Sequence, residues 1–127
     1  MKNKSNPVVY FEIPVTNIER AIQFYSAVFD FEFERDRIHD NEMAFFPLIE
    51  GNNGISGALA QGEIYKPTID GTLVYLNTEN IEETINLAVK NGAEILFPIT
   101  SNGEFGWVAE FKDCEGNRIA LHMSQKE

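Results

Sequence analysis

From Val8 to Ile13 apolar and polar positions alternate. Val9, Phe11 and Ile13 fall on one side and Tyr10 and Glu12 on the other. A period of two predicts a strand. From Thr16 the spacing turns helical, with Ile18, Ala21, Ile22, Tyr25, Val28 and Phe29 on one stripe. Thr16 with Glu19 reads as a capping box that opens this helix. Strands are predicted again over 31–35, 42–49 and 54–61. The turn signals between them are His39-Asp40-Asn41 and Gly51-Asn52-Asn53-Gly54. Residues 62–71, with Pro67 and Asp70, read as a connection. A strand over 72–77 follows, then a helix capped by Asn80 and Glu83, with Ile81, Ile85, Ala88 and Val89 as its apolar stripe. Asn91-Gly92 ends that helix in a left-handed cap. Strands over 93–97, 107–112 and 119–123 complete the chain, the last two joined by a turn at 113–117.

The pattern is βαβββ, twice. Asn17-Ile18-Glu19 recurs as Asn80-Ile81-Glu82, an offset of 63 residues. The same shift lays Val9–Ile13 on Thr72–Leu76 and Gly54–Leu59 on Asn117–His122. A repeat of this kind sets architecture more firmly than any local signal. The fold class expected is α+β: two tandem βαβββ modules whose cupped mixed sheets surround a shared cavity. Module one covers about 7–62, the linker about 63–70 and module two about 71–124.

At 127 residues the chain suits one domain, and neither half alone would bury a good core. Net charge is −10 and no basic patch carries interleaved aromatics, which excludes nucleic acid as an expected partner. The single cysteine, Cys114, allows no intrachain disulfide and no cysteine-built zinc site. No apolar run approaches membrane-spanning length, and the first seven residues do not read as a signal peptide. A reducing cytoplasm is the expected location.

The segment Ile13-Pro14-Val15-Thr16-Asn17-Ile18-Glu19-Arg20-Ala21-Ile22-Gln23-Phe24-Tyr25 resembles the opening module of the vicinal oxygen chelate superfamily. That group includes glyoxalase I (lactoylglutathione lyase), bleomycin-resistance proteins and extradiol dioxygenases. Asp113-Cys114-Glu115-Gly116-Asn117 is similar to the family's Asp-Pro-x-Gly-Asn hairpin, with Cys114 in place of the proline. Glu12-Ile13-Pro14 and Gly57-Ala58-Leu59 look most like the small glyoxalase-related bacterial proteins. The resemblance implies a divalent metal held by His, Glu or Gln from the first and last strand of each module. Carried onto this chain by the family's spacing and the offset of 63, the four positions are Tyr10, Gly57, Leu73 and Ala120. Three of these cannot ligate through a side chain, and a phenol is a poor ligand. No metal and no other cofactor is therefore expected. A homodimer is expected, because the family commonly completes its cups by pairing.

Alternation then assigns the cup face. Starting from Tyr10, Leu73 and Ala120, it adds Glu12, Leu59, Tyr75 and His122, and places Phe11, Ile13, Val74, Leu76, Ile119 and Leu121 against the helices. Tyr10, Leu59, Leu73, Tyr75, Trp107 and Ala120 are the expected ligand-binding residues. Glu12 and His122 are the candidate catalytic pair. A carboxylate in an apolar cup has a raised pKa and can serve as a base; the competing reading pairs Glu12 with Arg118 or leaves it at a solvated rim. Trp107 fits the core as well as the pocket. His39 reads as a solvated turn residue, and Cys114, between two acids, as a poor nucleophile. The expected function is a glyoxalase-related protein that binds a small hydrophobic or aromatic molecule. The alternative is a lyase or isomerase using Glu12 as acid/base, with any metal held unusually.

Overall fold

A computed structural model describes residues 4–125. The first half runs β1 (Phe11–Pro14), α1 (Ile18–Phe29), β2 (Glu34–Ile38), β3 (Asn41–Phe45) and β4 (Gly57–Gln61). The second runs β5 (Val74–Asn77), α2 (Ile81–Lys90), β6 (Glu94–Ser101), β7 (Trp107–Lys112) and β8 (Arg118–Met123), with a short 3-10 turn at Gly103–Phe105. Each half forms a four-stranded mixed sheet, in the orders β1-β4-β3-β2 and β5-β8-β7-β6. In both, the first strand pairs parallel with the last and the remaining pairs are antiparallel. The α+β fold of two tandem βαβββ modules is the one that the repeat predicts.

Local chemistry sets the element ends. Asn17, rather than Thr16, caps α1: its side chain accepts from the backbone N–H of Arg20. Asn80 caps α2 in the same way through Glu83, as the repeat would require. Thr16 is drawn off instead by Glu115, to which its hydroxyl and its N–H both donate. The expected strand at 31–35 begins only at Glu34, because Phe31 and Phe33 turn inward to an aromatic cluster. Phe31 stacks on Phe29 with ring centroids 5.1 Å apart, and Phe33 meets Phe46 at 4.9 Å. β2 and β3 are joined by a two-residue loop in which His39 and Asp40 both have positive φ, the type I′ geometry that matches strand twist.

The helix-side residues of both sheets share one core. Ile13, Ala44 and Leu59 of the first sheet and Leu76, Phe111 and Leu121 of the second pack with Ile18, Phe24, Tyr25, Ile81 and Ile85 of the helices. Phe24 of α1 meets Phe111 of β7 at 5.8 Å. The amide of Asn117 donates to the carbonyl of Pro14 at 2.7 Å. Two halves too small to fold alone thus bury their apolar faces against each other. Among the described residues no helix covers the opposite, open face of either sheet, although Tyr65 packs over part of the first. No helix among the described residues is long and apolar enough to cross a membrane.

Candidate functional site

On the open face of the first sheet, pairing register decides which side chains stand together. Glu12 lies opposite Ala58, which lies opposite Phe45, which lies opposite Glu34. The neighbouring row is Pro14, Ala60, Met43 and Asp36. Met43, Ala58 and Ala60 are buried there, covered by Phe45 and by Tyr65 from the segment between the modules. The phenol of Tyr65 reaches over this apolar floor and donates to Glu12 Oε1 at 2.7 Å. Tyr10, just before β1, donates to Glu12 Oε2 at 3.0 Å. Burial and then the hydrogen bond to Glu12 push the Tyr10 phenol up to about 12. The hydrogen bond to Glu12, followed by burial, raises Tyr65. Both phenols therefore hold their protons at neutral pH.

Glu12 is exposed and takes two phenols as partners rather than Arg118, which pairs with Glu110 at 2.7 Å. Tyr65 escaped the sequence reading. Its signal, an aromatic between Gly62 and Pro67 in an otherwise polar connection, says nothing of the face that the connection covers.

The second sheet's open face carries Tyr75 opposite Ala120 and Asn77 opposite His122. Glu110 and Val108 stand beside Ala120 and His122 on β7. Tyr75 is 54% exposed, and Leu73, just before β5, is half-buried. His122 places Nε2 2.9 Å from the carbonyl of Phe105. A carbonyl can only accept, so this nitrogen carries the proton. Glu12 and His122 stand on the open faces of different sheets, and no hydrogen bond joins them among the described residues.

Two expected pocket residues lie elsewhere. Leu59 is fully buried in the helix-side core beside Ile13 and Ala44. Trp107, 39% exposed, pairs with Met123 at the end of β7 and stands on the face of Ala109 and Phe111 rather than on that of Val108 and Glu110. The reason for Leu59 is a change of offset. Glu12 and Tyr75 are 63 residues apart, but their partners Ala58 and Ala120 are 62 apart. A slip of one residue exchanges the faces of a strand, so Ala58, not Gly57, corresponds to Ala120. Gly57 faces Phe11, where an added Cβ would lie 2.0 Å from the Phe11 carbonyl oxygen.

With that correction the four positions implied for a metal are Tyr10, Ala58, Leu73 and Ala120. They offer one phenol oxygen, and that phenol is committed as a donor to Glu12. A divalent ion needs about three or four N, O or S ligands from the protein, so these residues do not fit the family's usual metal. Among the described residues no group of three or more His, Cys, Asp or Glu side chains is arranged to hold an ion. Near the open face, a groove of about 770 Å³ runs past Val9, Tyr10, Glu34, Phe45 and Leu48. Cys114 is half-buried, and burial, then its bond to Glu115, pushes its thiol up to about 12. It is no nucleophile at neutral pH.

The chain belongs to the Glyoxalase/Bleomycin resistance protein/Dioxygenase superfamily, whose pattern it matches over residues 8–121. A glyoxylase-like domain-containing protein from Didymella fabae is 30% identical over 114 residues, covering 87% of this chain and 88% of that protein. Among solved structures, the fold is that of a glyoxylase/bleomycin resistance protein/dioxygenase domain from Frankia sp. EAN1pec. Its TM-score is 0.72 at 17% identity, covering 96% of this chain and all of that one. An antibiotic binding protein from Streptomyces sp. CB03234 superposes with a TM-score of 0.68 at 17% identity, over 98% of this chain and 100% of the other. A glyoxalase-related enzyme from Fulvimarina pelagi does so at 0.70 and 15% identity, over 94% and 89%.

Proposed function

We propose that this protein binds a small hydrophobic or aromatic molecule on its cup face, without the metal centre usual in its superfamily. The observation that carries this reading is the donor set at Tyr10, Ala58, Leu73 and Ala120, which supplies no imidazole and no carboxylate. A Lewis-acid step needs such a set; the rings of Tyr10, Phe45 and Tyr65, the last two packed over Met43, Ala58 and Ala60, offer a planar apolar ligand a surface instead. The solved antibiotic binding protein of the same fold supports sequestration as a use for such a cup. The binding site works in a reducing cytoplasm, where Cys114 stays a free thiol.

The same reading includes a homodimer. In one chain each open face is a single wall, with Tyr10, Tyr75 and Phe97 exposed on it or at its edge. A second copy laid across these faces closes the cup. Sedimentation equilibrium at micromolar concentration tests this: a mass of about twice 14.4 kDa is expected, and a monomer alone would refute the pairing.

One observation favours a second reading. Glu12 is a carboxylate fixed by two phenols on the open face, a geometry in which it could act as an acid/base in a lyase or isomerase reaction. Elemental analysis of untagged protein and an assay of methylglyoxal–thiol lyase turnover with added nickel or zinc separate the two. Absent turnover and substoichiometric metal are expected. Near-stoichiometric metal, lost together with activity in Glu12→Ala, would overturn the binding reading.

A further inference from the structure

The charges of the first sheet are sorted by face. Its open face carries Glu12, Glu34 and Asp36, in register with Ala58, Phe45 and Met43. Its two strand arginines lie on the other face. Arg35 reaches Glu19 of α1 at 2.6 Å and also Glu42; Arg37 is tied to Glu42 and Asp40. None of Glu12, Glu34 and Asp36 forms an ion pair with a lysine or arginine among the described residues. The second sheet's open face differs. There Glu110 is matched by Arg118 at 2.7 Å and Glu94 by Lys112 at 3.1 Å. The two faces are alike in fold and unlike in charge.

The polar atoms at the centre of the first face are also of one kind. Both phenol hydrogens of Tyr10 and Tyr65 are spent on Glu12. A carboxylate has about four lone-pair sites and a phenol oxygen two. What remains for a ligand is therefore acceptors only: two sites on Glu12 and the lone pairs of the two phenols. A ligand that brings a carboxylate, phosphate or carbonyl finds no hydrogen to accept. A ligand that brings N–H groups and positive charge finds an acceptor triad and two aromatic rings for a cation to lie against, with Glu34 and Asp36 adding negative charge farther across the sheet on β2. A divalent metal ion is not served, since one carboxylate and two protonated phenols are too few ligands.

We propose that the open face of the first sheet selects an organic cation, a protonated amine or amidine carried on an apolar or aromatic body, with Glu12 as its counter-ion between Tyr10 and Tyr65. The inference rests on the small-molecule-binding reading and names the class of ligand. The net charge of −10 favours the encounter of such a ligand over that of an anion.

Three probes of nearly one shape test the proposal at pH 8 by fluorescence titration: 9-aminoacridine, which is cationic; acridine, which is neutral; and acridine-9-carboxylate, which is anionic. The cation should bind about tenfold or more tighter than the neutral probe, the gain of a charge-assisted hydrogen bond, and the anion weakest. Glu12→Gln keeps the shape and removes the charge, so it should abolish most of that tenfold, read as the ratio of 9-aminoacridine to acridine affinity within the variant. Glu34→Gln should reduce it by a smaller factor, and raised salt should reduce it in wild type. Circular dichroism and thermal unfolding show that the variants are folded. Equal or tighter binding of the neutral or anionic probe to wild type overturns the proposal and leaves the binding reading standing, as does a cation preference that survives Glu12→Gln. Failure of all three probes to bind overturns both.

Discussion

The hydroxyl of Tyr25 donates to Asp113 Oδ2 at 2.6 Å, both residues buried and 88 positions apart. Asp113 Oδ1 meanwhile accepts the backbone N–H groups of Glu115, Gly116 and Asn117, and so shapes the turn between β7 and β8. One carboxylate thus ties a turn of module two to a helix of module one. Burial, then the Asp113 charge, raises the Tyr25 phenol well above its usual value. Tyr25→Phe leaves a buried carboxylate short of one partner. A loss of about 2 kcal/mol in urea unfolding is expected, and a loss below about 0.5 kcal/mol would show that water replaces the phenol.

Glu115 makes the second tie. Its carboxylate, fully buried, accepts from the N–H groups of Thr16 and Asn17 and from Arg20 at 2.6 Å. Burial opposes its ionisation, but Arg20 and the two backbone donors outweigh it and hold the group at about 2, against an ordinary 4.5. A carboxyl depressed on folding stabilises the protein above its unfolded pKa, and that stability is lost as pH falls through the folded one. Wild type should therefore lose on the order of 2 kcal/mol between pH about 4.5 and 2 from this group, discounted because Arg20 is half exposed. Glu115→Gln should be less stable at pH 7 and show a flatter acid limb. Equal acid slopes for the two proteins would contradict the assignment.

Gly57 and Leu59 test the register of β4. An added Cβ at Gly57 would overlap the Phe11 carbonyl, a backbone atom that cannot swing away. Gly57→Ala should cost about 3 kcal/mol or more, read as a lowered midpoint of thermal unfolding. Leu59→Ala should cost about 3 kcal/mol as well, because its side chain is core. Were Leu59 on the open face, that change would be nearly silent.

Asn17 and Asn80 hold the same cap position in the two modules. Each replaced by alanine should cost about 1 kcal/mol, whereas the hydroxyl of Thr16 serves Glu115 rather than the helix. Thr16→Ser, which keeps that hydroxyl, should be close to neutral by denaturant unfolding. Asn17→Ala without measurable loss would remove Asn17 as the cap.

Much of this was legible along the chain. The offset between Asn17 and Asn80, and the alternation through Glu12 and Tyr75, determined the two modules and the helix stripes; that Tyr10 and Leu73 are first-strand positions lacking His or Glu came from the family resemblance instead. The modules and stripes are properties of period and spacing, which a linear string carries in full. Three things were decided only in space. The change of offset from 63 to 62 exchanged the faces of β4 and moved Leu59 into the core, because the strand period is two and tolerates no slip. The segment between the modules laid Tyr65 over Met43, Ala58 and Ala60 and brought its phenol to Glu12, a contact 53 residues apart that no local pattern encodes. The register of β2 on β3, which sets Glu34 opposite Phe45 and Arg35 opposite Ala44, turned Glu34 and Asp36 to the open face and Arg35 and Arg37 to the helix side. Which side of a sheet a charge occupies follows from the register of its strand, and register is settled by the residues that tertiary packing draws into the core.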